Sequence, residues 1–73
     1  MNEYIKMLRE IEAKKNDLET RIAQIVGEEV AKWQSENKLA IQTVYIDLAD
    51  ERSIEGPKKY IVTGASVDID YKP

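Results

Sequence analysis

The chain has no cysteine and no histidine. The first absence excludes disulfides and thiolate ligands, and the second removes the usual general base and the commonest metal ligand. Ser-His-Asp and Cys-His catalysis, and zinc sites of the finger type, are therefore out of reach. Phenylalanine is also missing, and there are only two prolines and three glycines. Gly27, Gly56 and Gly64 lie far apart, so no glycine-rich phosphate loop is present. Basic excess is lacking too: 11 Lys and Arg stand against 14 Asp and Glu, for a net charge of −3. A non-specific nucleic-acid binder normally carries the opposite sign. No apolar run reaches the length of a membrane span or a signal-peptide core. These features lead us to expect a soluble cytoplasmic protein that is not an enzyme and carries no cofactor or metal.

What remains is 73 residues, 42% hydrophobic and 34% charged, which is too apolar for obligate disorder and short for a self-sufficient core. We expect one small domain over residues 1–73. Without disulfides or a metal cluster, such a chain is best stabilised by oligomerisation.

Composition changes along the chain. Residues 2–37 hold no proline and one glycine and are rich in Glu, Lys, Leu, Ile and Ala. Residues 39–71 are rich in Val, Ile, Thr and Tyr. The expected fold is α+β: one long N-terminal amphipathic helix over 2–37, then an antiparallel two-stranded hairpin, completed by dimerisation. The strands are placed at 39–48 and 59–71, with a loop over 49–58.

In the helical half, apolar residues fall at Tyr4, Leu8, Ile11, Leu18, Ile22 and Ile25, at spacings of 4, 3, 7, 4 and 3. That is a heptad seam with Lys15 at the one skipped position. We expect Leu8, Ile11, Leu18, Ile22 and Ile25 to meet a second helix, giving a homodimer. Beyond Ile25 the stripe moves to Val26, Val30 and Trp33, a broader face suited to packing on a sheet. Asn2 is the expected N-cap, and Asn37 the residue expected to turn left-handed at the end. Gly27 would permit a close crossing. A turn at Lys14–Glu19, with Asn16 capping a second helix, is the alternative, but no Gly or Pro punctuates that stretch.

In the second half, Val44, Ile46 and Leu48 share one face of the first strand, with Thr43, Tyr45 and Asp47 on the other. In the second strand Ile61, Ala65, Val67, Ile69 and Tyr71 alternate with Gly64, Ser66, Asp68 and Asp70. Gly64 marks a bulge or a close approach of the helix. Simple hairpin register sets Asp68 opposite Leu39. Asp68 and Asp70 share a face and could hold a divalent cation, but they read more simply as a solvated surface.

The loop joins acidic and basic residues around the isolated Ile54. Arg52, Ile54, Lys58, Lys59 and Tyr60 form a candidate contact for a protein partner. The expected function is thus a non-enzymatic adaptor, regulator or inhibitor of another protein. The alternative is a nucleic-acid-associated regulator, with the Lys58, Lys59 and Tyr60 patch doubled by a dimer axis. No motif is specific enough to name a family.

Overall fold

A computed structural model describes residues 2–51 and 56–73. It shows one helix followed by an antiparallel hairpin: α1 (Asn2–Asn37), β1 (Ala40–Glu51) and β2 (Lys59–Asp70). The chain divides into two units, Met1–Glu36 and Asn37–Pro73.

The first unit is α1, whose 36 residues span about 54 Å at 1.5 Å per residue. The helix runs unbroken through residues 14–19, so the alternative turn does not form. In that stretch Thr20 donates its hydroxyl to the Asn16 carbonyl at 3.0 Å. Lys15 and Glu19, one turn apart, pair at 3.5 Å. Glu3 lies in the first turn, where the helix dipole favours an acid. Asn2, the expected cap, is itself the first helical residue.

The helix ends at Asn37, the expected bound, but the left-handed residue is the next one. Asn37 is still helical, and Lys38 takes φ 58°. A left-handed residue just past the last helical one ends a helix by turning the chain away from further helical bonding. Position decides here over preference, since a lysine pays for its Cβ in that conformation. Gly27 lies in open space, with nothing within 4 Å of an added Cβ among the described residues.

The second unit is the hairpin. β1 extends three residues past the expected Leu48, because Ala49, Asp50 and Glu51 pair with Ile61, Tyr60 and Lys59. β2 ends at Asp70, leaving Tyr71 outside the ladder. Register shifts between Ile41 and Thr43, and between Asp47 and Leu48, leave Gln42 and Thr63 as the extra residues of two bulges. The bulges repair a flaw in the alternation. Apolar residues of β1 step by three from Ile41 to Val44, and those of β2 step by three from Val62 to Ala65. One extra residue in each strand puts both sides of each step back on a single face.

The pairs Ile41–Ile69, Val44–Val67, Ile46–Ala65 and Leu48–Val62 therefore form one continuous apolar face. The opposite face carries Thr43–Asp68, Tyr45–Ser66, Asp47–Gly64 and Ala49–Ile61. Two expectations change as a result. Ile61 moves to the polar face and Val62 replaces it, since strict alternation across Thr63 gives the wrong side. Asp68 lies opposite Thr43 and not Leu39, because the first bulge and the true end of β2 shift the register. Near Gly64, the atom an added Cβ would meet is Asp47 Oδ2 at 4.0 Å, an ordinary contact. The bulge at Thr63 lies next to Gly64, in keeping with one of its two readings.

No described residue is buried. In α1 the partial exceptions are Val26, Val30, Trp33 and Gln34, and in the hairpin Leu39, Ile41, Val44, Ile69 and Asp70, all half-buried. Among the described residues no helix is long and apolar enough to cross a membrane.

Candidate interaction surfaces

α1 presents its apolar seam to solvent. Leu8, Ile11, Leu18, Ile22 and Ile25 are 44–63% exposed, and Tyr4 at the head of the stripe is 62% exposed. A single amphipathic helix has nowhere to bury such a stripe by itself, and the isolated element draws little stability from propensity alone. Large apolar side chains scattered over a surface are ordinary, whereas these stand in one row at heptad spacing. Lys15 occupies the gap in the row and lays its ammonium against Glu19, leaving the seam sideways.

The hairpin presents a second apolar surface that strict alternation had obscured. Toward its tip, Ile46, Leu48 and Val62 are 44–66% exposed on the apolar face, next to Tyr60 at 55%, and Val67, paired with Val44 nearer the base, is 46% exposed. Toward its base, Ile41, Val44 and Ile69 on the same face are half-buried. The readable signal was the step of three in each strand, which predicts a bulge whenever apolar residues on both sides must share a face. Both strands of this two-stranded sheet have an open edge.

Of the expected partner contact at the tip, Arg52 and Ile54 lie outside the described residues. Lys58, Lys59 and Tyr60 are brought together, yet each is engaged locally. Lys59 Nζ pairs with Glu51 Oε2 across the ladder at 3.5 Å, and Lys58 Nζ lies 5.6 Å from the centre of the Tyr60 ring. The Glu51 carboxylate offsets one of the two charges a phosphate would need.

Asp68 and Asp70 share the polar face but are occupied by different partners. Tyr45 donates its hydroxyl to Asp68 Oδ2 at 2.7 Å, and the Lys72 amide donates to Asp70 Oδ1 at 3.0 Å. Among the described residues, no three acidic side chains gather as a cation would require. The hydrogen bond to Asp68, reinforced by the negative charge of that carboxylate, pushes the Tyr45 hydroxyl above its ordinary value of 10.0. The neutral phenol is the donor, so the bond favours the protonated form. Thr63, the extra residue of the second bulge, donates to the Asp47 carbonyl at 3.3 Å.

Comparison of the chain with protein-family models, curated proteins and solved structures returned no match.

Proposed function

We propose that the chain is a homo-oligomeric protein-interaction module without catalytic activity of its own, acting in the cytoplasm as an adaptor, regulator or inhibitor of another protein. The observation that carries this reading is the exposed seam of α1, where every large apolar side chain from Tyr4 to Ile25 is 44% or more exposed. The hairpin adds support, since its apolar face and two open edges are the features by which sheets join. The polar groups give no competing focus, because those with described partners form local surface pairs at the ladder or along one helix.

Sedimentation equilibrium over a hundredfold range of concentration tests the oligomer. The reading expects a mass above that of one chain, with dissociation on dilution. A monomer across the whole range overturns it. A parallel titration with duplex and single-stranded DNA over a salt series tests the module's class. Weak or absent binding is expected. Tight binding that falls steeply with salt would instead make the chain a nucleic-acid-associated regulator.

A further inference from the structure

We infer that α1 pairs with a second copy of itself in parallel and in register. This rests on the proposed oligomer and adds the geometry of its interface. The two edges of the seam differ in charge. In heptad terms Leu8, Lys15 and Ile22 hold the a positions, and Tyr4, Ile11, Leu18 and Ile25 the d positions. The positions flanking the seam on one side are then Glu12 and Glu19, and on the other Lys14 and Arg21. All four are exposed. One edge of the seam is acidic and the other basic over its central two heptads.

Orientation decides which edges meet. In a parallel pair the two-fold axis sets each acidic edge against the partner's basic edge, and Lys14 of one copy comes beside Glu19 of the other. In an antiparallel pair like edges meet at any stagger, and with the two seams fully overlapped Glu12 faces Glu19 and Lys14 faces Arg21. Charges of like sign placed opposite each other oppose the antiparallel form. Lys15 fixes the register. In register the two Lys15 side chains share one layer, and each already leans out of the seam toward Glu19. A slip of one heptad would set each lysine against Leu8 or Ile22 of the other copy, where an apolar layer gives it no partner. Gly27 fits the same frame. It holds the outermost heptad position, and its Cβ direction is open.

A charge-exchange experiment reads the orientation. In the parallel form Lys14→Glu sets like negative charges against each other at the two Lys14–Glu19 contacts, and Glu19→Lys sets like positive charges there. In the parallel form each variant repels its own copies, and a one-to-one mixture restores two opposite-charge pairs. The expected result by native mass spectrometry is a heterodimer share well above the statistical half, with each homodimer weakened about tenfold relative to the unaltered chain. In the antiparallel form with the seams fully overlapped the heterodimer gains nothing over the average of the two homodimers, so a share of one half overturns the inference. Each chain brings its own intrahelical effects into either dimer, so they cancel from the heterodimer preference. A second reading avoids charge changes. With no native cysteine, Glu3→Cys carries a single spin label. Parallel pairing puts two labels within about 25 Å of each other, roughly two helix diameters. Antiparallel overlap of the same seams separates them by about 40 Å. A long distance in a dimer overturns the orientation alone, whereas a monomeric unaltered chain overturns the proposed oligomer itself.

Discussion

Replacing Ile22 with aspartate strikes the middle of the exposed seam. Ile22 is 44% exposed in the single chain, so a partner has a little under half of its surface left to cover. Full burial of an isoleucine side chain contributes about 1.5–3 kcal/mol, which makes that remaining share worth about 1 kcal/mol. An unpaired carboxylate at the contact adds a desolvation cost of at least about 2 kcal/mol. The loss is about 3 kcal/mol in each subunit and about twice that in a symmetric dimer, or roughly four decades in the dissociation constant. The control is Ala13→Glu on the outer face of the same helix, an exposed site where a good helix former should shift stability by under about 0.5 kcal/mol. Sedimentation velocity should show Ile22→Asp as a monomer at concentrations where the unaltered chain and Ala13→Glu are associated. Circular dichroism should show helix content falling with the loss of association. If Ile22→Asp keeps the oligomer at unchanged mass, the heptad argument is wrong and the helix meets its partner by another face.

The remaining predictions concern single residues. Gly27→Ala should stabilise the chain by about 1 kcal/mol in thermal denaturation, since an added methyl meets nothing and alanine is the better helix former. Destabilisation would show that something crosses close to that glycine. Lys38→Gly should stabilise by up to about 1 kcal/mol, because glycine takes φ 58° without the clash of a side chain; a clear loss of stability would mean that Lys38 does not hold the left-handed conformation. The Tyr45 hydroxyl, followed by residue-resolved NMR, should titrate above 10.0 and return toward that value in Asp68→Asn. A proton held more tightly in the folded state makes the stabilisation from this bond complete below pH 10, and it is lost as pH rises through the raised folded value. Identical Tyr45 titrations in the two proteins would contradict the hydrogen bond.

Much of the fold was legible because two periods dominate the chain. A helix-forming stretch without proline gave α1 its length, and runs of β-branched residues marked the two strands of the hairpin. One cause of error is that strict alternation cannot see a bulge. It put Ile61 on the apolar face, although Thr63 shifts the face between Gly64 and Val62. A second is composition: β1 was expected to end at Leu48, since Asp50 and Glu51 read as loop residues until their partners Tyr60 and Lys59 are known. The shortened strand hid the Lys59–Glu51 pair, and with it the partial neutralisation of the basic patch at the tip. At the end of the helix, asparagine's tolerance of positive φ suggested Asn37. The observed terminator is the next residue, because the end of helical hydrogen bonding selects the site and side-chain preference only modulates its cost. The apolar seam was readable by spacing alone, and its exposure on the single chain is what the structure adds.

The central claim is that α1 covers its seam with a second copy, so that folding and association are linked. The most direct measurement is the thermal unfolding midpoint of the unaltered chain over a hundredfold range of protein concentration. Mass action raises the midpoint of any protein whose folded form alone associates. The account predicts a midpoint that climbs steadily with concentration. A midpoint that stays constant while the chain sediments as a monomer would contradict it.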